Sequence, residues 1–201
     1  MLNLPKSTEI RKFIFKKLIY TKFKDEMTTA RRSEFDQDIS KIILVNEISS
    51  KTLNIEADEN AKPIFVVNIQ VKHKDFNEKN IITIAKLFQQ KLVLIVQCQN
   101  EAKLCIYQNK LFSLPWQDVN ELNIKIQGLN LNTIWENFVI QIGNIEMQGE
   151  NNLDEQIQQD DQRAKLLAKI EQLTKKMTKE KQPRKKFALK QELNTLKSQL
   201  K

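Results

Sequence analysis

Two stretches decide the fold: IFVVNIQVK at residues 64–72 and KLVLIVQ at residues 91–97. The first is rich in β-branched residues and alternates in its second half, which is typical of a strand. The second is apolar on both faces, which indicates a central strand. Between them, residues 77–89 place Ile81, Ile84 and Phe88 at helical spacing. The centre of the chain is therefore predicted to be strand, helix, strand.

The flanking sequence extends this centre in both directions. Upstream, Phe35, Ile39 and Ile42 recur at helical spacing and predict a helix from about residue 28 to residue 46. The other predicted elements are a short strand over 53–56, hairpin strands over 103–108 and 111–114, a strand over 121–126, and a helix capped by Asn130–Asn132, running to Ile142 and stopped by Gly143. This order predicts an α+β fold with a mixed-sheet core and flanking helices, or a three-layer α/β variant of it.

The last part of the chain carries two apolar ladders with the 4-3-4 spacing of a coiled-coil seam. The ladder residues are Leu166, Ile170, Leu173 and Met177, then Leu189, Leu193, Leu196 and Leu200. Pro183 lies between the ladders, where it can end one helix and open the next. The sequence therefore predicts an antiparallel helical hairpin over residues 154–201, joined to the core by a polar linker over 144–154.

Charge divides the chain more sharply than its net value of +8 suggests. Residues 1–32 carry +6, residues 33–160 carry −7, and residues 161–201 carry +9, with 13 Lys and Arg against 4 Asp and Glu. The predicted organisation is a basic N-terminal segment (1–24), an α+β core (25–150) and the basic hairpin (154–201). The N-terminal segment interleaves its basic residues with aromatic ones and is expected to be extended and partly docked; the aromatic residues are Phe13, Phe15, Tyr20 and Phe23.

Seven basic residues cluster around the predicted tip of the hairpin, offset there only by Glu180. This tip cluster consists of Lys175, Lys176, Lys179, Lys181, Arg184, Lys185 and Lys186. Lys and Arg in such a cluster contact phosphates by charge, without reading bases. The sequence therefore predicts sequence-independent nucleic-acid contact at the tip. A docking arm for a protein partner and a merely solubilising face are the alternatives.

A metal-dependent nuclease is a weaker alternative for the core. Gln70 and Lys72 end the strong strand as Gln-x-Lys, Asp58 precedes that strand, and Glu47 supports them. In such a site a carboxylate holds Mg²⁺ and the lysine steadies the attacking water. Outside this alternative the sequence calls for no cofactor and no metal, and the chain is expected to be non-catalytic.

Other residues indicate structure rather than chemistry. Cys98 and Cys105, on adjacent predicted strands, are expected to be buried and reduced because no cluster of metal ligands accompanies them. His73, the single histidine, is expected to be solvated or packed. The longest apolar runs are too short to span a membrane, and the N-terminus lacks the pattern of a signal peptide. A cytoplasmic protein without membrane contact is therefore expected.

The hairpin should be only marginally stable by itself. Burial of the eight ladder residues offsets little of the conformational entropy that is lost when some forty residues become ordered. The hairpin is therefore expected to gain stability from nucleic acid, from a protein partner or from a second copy. In the last case two hairpins would form a four-helix bundle, which makes 154–201 a possible homo-oligomerisation element.

Two stretches, LNLPKSTEI at residues 2–10 and GLNLNTIWENF at residues 128–138, carry a resemblance to a known family. With the Lys-rich ending, they resemble a bacterial family of unknown function, number 4391 in its series. The resemblance covers essentially the whole chain and implies no assigned activity. It implies a genomic setting beside helicases and DNA methyltransferases, and hence a restriction or anti-phage role with such a subunit as partner. The family often carries Glu where this chain has Asn68, which weakens the nuclease alternative.

Overall fold

The computed structural model describes residues 2–56, 62–88, 90–149 and 151–199. The chain divides into two compact units, Met1–Ile145 and Glu146–Lys201. The first unit contains the sheet and the second contains the helical hairpin.

The first unit begins with a 3₁₀ turn at Lys6–Thr8. Its strands and helices follow in the order β1 (Glu9–Phe13), α1 (Lys16–Lys22), α2 (Thr29–Asp38), β2 (Ile39–Ile48), α3 (Ser50–Leu53), β3 (Ile64–Val71), α4 (Glu78–Leu87), β4 (Lys91–Cys98), β5 (Glu101–Gln108), β6 (Lys110–Ser113), β7 (Gln117–Asp118) and α5 (Leu131–Gly143). Among the described residues the sheet has seven strands in the order β1-β2-β3-β4-β5-β6, with β7 also paired to β5. Among the described strands, β3 and β4 are the one pair that runs in parallel, across the α4 connection, so the sheet is mixed as predicted.

Both faces of the sheet are covered. On one face, Phe35 of α2 and Ile84 of α4 share a cluster with strand residues that include Cys105. On the other face, α5 packs against β5 and β6. Because Leu104 and Ile106 flank Cys105 on β5 and are equally buried, that strand is covered from both sides. The α+β prediction, its strands at 64–72, 91–97 and 103–108, and its helix after Asn130 are confirmed.

The predicted helix over 28–46 is wrong in its second half. Helix α2 ends at Asp38, and Ile39–Ile48 forms β2. The run of apolar residues over 42–45 satisfies a helical period locally, but β2 hydrogen-bonds to β1 on one side and to β3 on the other. Pairing with two neighbours and burial of β-branched side chains outweigh the local helical pattern.

Three smaller predictions are also corrected. Residues 53–56 do not form the predicted strand. Ser49 and Thr52 form a capping box that starts the short helix α3, and this helix ends at Leu53. Residues 121–126 form only an isolated bridge between Leu2 and Asn123 instead of a strand. Gly143 is the last residue of α5, and Asn144, at φ 47°, takes the left-handed position that ends the helix.

The N-terminal segment is more ordered than expected. Its first part is extended and docked, because β1 pairs antiparallel with β2. Its second part is helical and is anchored by Ile19 of α1, which is fully buried. The expected docking is therefore found, together with a helix that the alternating basic and aromatic residues did not indicate.

The second unit consists of α6 (Leu153–Lys179) and α7 (Pro183–Ser198). A capping box between Asn152 and Glu155 starts α6, and Pro183 occupies the first turn of α7 as predicted. The seam residues that pack together are Leu166, Ile170, Leu173, Leu189, Leu193 and Leu196. Six of the eight predicted ladder residues thus pack together, whereas Met177 is not part of this cluster and Leu200 lies outside the described residues. Within the described residues, no helix is long and apolar enough to cross a membrane.

Candidate nucleic-acid interface

A three-residue turn joins the two helices of the hairpin and forms its tip. Helix α6 stops at Lys179 because Glu180 leaves the helical conformation, with ψ at 126°. The Glu180 carboxylate then accepts a hydrogen bond of 2.9 Å from the backbone N–H of Gln182. Pro183 follows and opens α7. The turn is therefore locally encoded, and it brings the basic end of α6 beside the basic start of α7.

All seven residues of the tip cluster are exposed. Lys175 forms an ion pair of 2.5 Å with Glu171, one turn earlier on α6. The hydrogen bond from Lys175 lowers the pKa of the Glu171 carboxyl. Exposed Lys and Arg side chains keep their positive charge at neutral pH and reach outward on flexible stems. The tip therefore presents a concentrated positive surface to solvent.

A groove of about 550 Å³ lies between the two helices at this end of the hairpin. It is lined by Lys176, Lys179, Glu180, Lys185, Ala188, Leu189 and Glu192. Three cations from both helices, Lys176, Lys179 and Lys185, thus share one concave surface; we call them the groove lysines. Two carboxylates line the same groove, and Glu192 lies 3.6 Å from Lys169. The groove therefore combines three ammonium groups with two carboxylates.

The start of α7 is electrostatically unusual. Helix α6 begins with Asp154, Glu155 and a side-chain cap, as the partial positive charge of a helix N-terminus favours. In helix α7, Pro183 is followed by Arg184 and two lysines, with no acidic residue in the first turn and no side-chain cap. Like charges therefore accumulate at this helix end, and an external anion would relieve that repulsion.

Gln70, from the nuclease alternative, lines a different groove. This groove, of about 640 Å³, is formed on the sheet of the first unit by Leu4, Glu9, Ile10, Arg11, Ile43, Val45, Asn46, Asn68, Gln70 and Gln97. Its centre is rich in neutral amides, and Asn68 donates a hydrogen bond of 2.9 Å to the side chain of Gln97. Amides are weaker ligands for Mg²⁺ than carboxylates. The groove is therefore better suited to hydrogen bonding than to holding a divalent cation.

The structure does not bring Glu47 to the side of the sheet that carries Gln70. Glu47 pairs with Phe65 across β2 and β3, so these two side chains share a face. Phe65 and Gln70 are five residues apart on β3 and therefore project from opposite faces. Lys72 is engaged elsewhere, because its ammonium donates a 2.7 Å hydrogen bond to the backbone carbonyl of Asp36.

The remaining nuclease candidate, Asp58, lies outside the described residues. Among the residues that the structure describes, no three His, Cys, Asp or Glu side chains converge as metal ligands. Within the described part of the chain, the nuclease candidates therefore do not form an assembled Mg²⁺ site.

Sequence reasoning missed one buried polar centre, at Asp38. This carboxylate is 5% exposed and accepts hydrogen bonds from the backbone N–H of Asn77 at 2.8 Å and from the side chain of Asn80 at 2.7 Å. His73 approaches it at 3.4 Å. These contacts join the end of α2 to the start of α4, so the centre braces the fold. An Asp inside a predicted helix gave no signal of this role.

The two cysteines are buried and free, as expected. Cys98 ends β4 and Cys105 lies on β5, so they occupy adjacent strands. Burial raises the pKa of the Cys105 thiol to about 12, even though the nearby Lys103 ammonium acts in the opposite direction. Since the thiolate is the reactive form, Cys105 is an inert part of the core.

Comparison with known proteins gives one match. A family model described as "Domain of unknown function (DUF4391)" matches residues 2–200. No curated protein and no solved structure matches the chain.

Proposed function

The chain belongs to the DUF4391 family, and from that premise we propose that it is a non-catalytic accessory subunit of a bacterial DNA-acting complex. The complex would be of the restriction or anti-phage defence type and would work in the cytoplasm. The basic hairpin would contact nucleic acid, or the helicase or methyltransferase subunit beside it. The first unit would serve as the body that docks on that partner.

The observation that carries this proposal is the convergence of the groove lysines. Lys176 and Lys179 come from α6, and Lys185 comes from α7, yet all three line one groove. Cations that are spread along a solvated helix face do not need to meet in this way. A phosphate backbone carries regularly spaced charge and rewards such a cluster through release of counterions. The expected contact is therefore electrostatic and independent of base sequence.

The separation of the nuclease candidates supports a non-catalytic role. Glu47 and Gln70 project from opposite faces of the sheet, and Lys72 is bonded to the backbone of Asp36. General metal-assisted hydrolysis needs these groups around one reacting phosphate. In this proposal, the chemistry belongs to the partner subunit, and this chain supplies binding.

The direct test is binding of a short fluorescent duplex DNA to the full chain across a salt series. Replacing all seven residues of the tip cluster with Gln should abolish salt-sensitive binding while leaving the helical content unchanged. If the substituted chain binds as the natural one does, with the same salt dependence, the hairpin is not the contact. A parallel incubation with Mg²⁺ should leave the DNA intact; cleavage that the Gln70→Ala substitution removes would restore the nuclease alternative.

The hairpin also has a second candidate role, in self-association. Two of its large apolar residues, Leu167 and Phe187, are 50% and 62% exposed. Packing against a second hairpin would cover such side chains and enlarge the small seam. Light scattering of the full chain without nucleic acid tests this role: a dimer mass that Leu167→Glu reduces to a monomer supports it, and a monomer at all concentrations excludes it.

A further inference from the structure

The aromatic residues of the N-terminal segment divide into two pairs with different surroundings. Tyr20 and Phe23 pack against the core cluster, and the Tyr20 ring meets the Phe35 ring edge-on at 5.9 Å. Phe13 and Phe15, in contrast, are 56% and 77% exposed. The first pair attaches the segment to the core. The second pair therefore leaves a large aromatic surface open to solvent.

The exposed pair occupies a defined position at the border of the sheet. Phe13 ends β1, the outermost strand of the described sheet, which pairs with β2. Phe15 directly precedes α1. Between the two rings, the backbone N–H of Ile14 donates a 2.9 Å hydrogen bond to the carbonyl of Ile42, and Ile14 packs against the core. The rings therefore project from an anchored segment, so holding them in place costs little entropy on binding.

Basic residues flank these rings in the sequence. Residues 10–24 contain six Lys and Arg and no Asp or Glu. Lys16 is engaged with Asp36 at 2.7 Å, whereas several other cations of the segment are exposed. The exposed group that we call the N-terminal edge surface consists of Arg11, Lys12, Phe13, Phe15, Lys17 and Leu18. Lys12 and Phe13 are consecutive on β1, so they project from opposite sides of this edge strand.

We propose that the N-terminal edge surface binds single-stranded nucleic acid. Exposed aromatic rings interleaved with cations match the two needs of an unpaired strand, which are stacking for its bases and neutralisation for its phosphates. A duplex keeps its bases stacked on one another and cannot use the rings. A protein partner with an acidic surface would use the cations, but it offers no unpaired bases on which the two rings can stack. This site belongs to the first unit, whereas the duplex contact is proposed for the hairpin in the second unit.

The test is binding of a labelled oligothymidylate to the full chain, measured by fluorescence anisotropy beside a duplex of equal length. The substitution Phe13→Ala with Phe15→Ala should weaken single-strand binding by about 5-fold or more for each ring that stacks, and should leave duplex binding unchanged. Phe13→Tyr with Phe15→Tyr should restore single-strand binding, and Phe13→Leu with Phe15→Leu should not. Leu129→Ala is the matched control, because Leu129 is 91% exposed in another part of the same unit.

The outcomes separate this site from the hairpin. Loss of single-strand binding with intact duplex binding supports the edge surface, whatever the hairpin does. If the Leu substitutions bind the oligonucleotide as well as the natural chain, stacking is refuted. The assignment to single strands is overturned if the natural chain shows no affinity for the oligonucleotide. It is also overturned if the chain prefers anionic phospholipid vesicles and binds them with the same dependence on Phe13 and Phe15. Since both rings are mostly exposed, the double substitutions should leave the midpoint of unfolding unchanged. The double Tyr variant is the control for folding, because it should both fold and bind.

Discussion

Neutralising the groove lysines gives a prediction whose size follows from the structure. The substitutions Lys176→Gln, Lys179→Gln and Lys185→Gln remove three charges from one groove without adding acidic groups. The logarithm of the binding constant falls linearly with the logarithm of the salt concentration, and each lost phosphate contact makes this fall less steep by about 0.9. The loss of three contacts should therefore make the slope less steep by about 2.7. Between about 50 mM and about 200 mM salt, the affinity ratio of natural to substituted chain should therefore shrink by about 40-fold.

A matched control separates the groove from net charge. Lys165, Lys190 and Lys197 are exposed on the same two helices but do not line the tip groove. Lys197 lies about 21 Å along α7 from Pro183, at about 1.5 Å per residue. Changing these three lysines to Gln alters the net charge by the same amount as the substitution of the groove lysines. It should make the salt dependence of the affinity less steep by less than one. Anisotropy of a fluorescent duplex across the salt series measures both slopes. Equal slopes for the two triple variants would refute the argument that the groove, and not the overall charge of the hairpin, makes the contact.

Three further predictions concern the stability of the two units. Leu193→Ala, at a seam position that is 5% exposed, should cost about 2–5 kcal/mol and reduce the helical circular-dichroism signal, whereas Leu167→Ala should not. Asp38→Ala should lower the free energy of unfolding in urea by about 1–3 kcal/mol or more for each donor left unsatisfied, and Asp38→Asn should cost less because it keeps an acceptor. Burial raises the pKa of Asp36, but hydrogen bonds from Lys16 and Tyr20 outweigh it and hold that pKa below its ordinary value of 3.8. Ionised Asp36 therefore adds stability at neutral pH that is lost as pH falls through the native pKa, and Asp36→Asn should show a shallower loss of stability in acid.

The parts of the fold that could be predicted from sequence are those that local pattern decides. The strand over 64–72, the apolar strand over 91–97 and the ladders of the hairpin each carry a strong period or composition over many residues. Residues 39–48 could not be assigned in this way, because their apolar run suits a helix or a strand. Only the two neighbouring strands that pair with β2 decide between them.

The candidate sites also differ in how far the local sequence decides their geometry. The tip cluster was predictable because its members are close in sequence and a turn at Pro183 suffices to gather them. Which lysines share a groove depends on how α6 and α7 are rotated in their packing, and the sequence does not specify that. The sheet face from which Glu47 projects depends on a β-bulge in β2, where the register with β3 shifts between Leu44 and Asn46. Such an extra residue moves the side chains that follow it to the opposite face of the sheet.

Lysine reactivity with and without duplex DNA tests the central claim most directly. The full chain is acetylated briefly, alone and with saturating duplex, and the modified positions are read by mass spectrometry. The groove lysines, Lys176, Lys179 and Lys185, should be modified more slowly in the complex, whereas the exposed Lys51 and Lys125 of the first unit should be modified at the same rate in both samples. Unchanged reactivity of the groove lysines in a sample that binds the duplex would contradict the claim that the hairpin groove is the nucleic-acid contact.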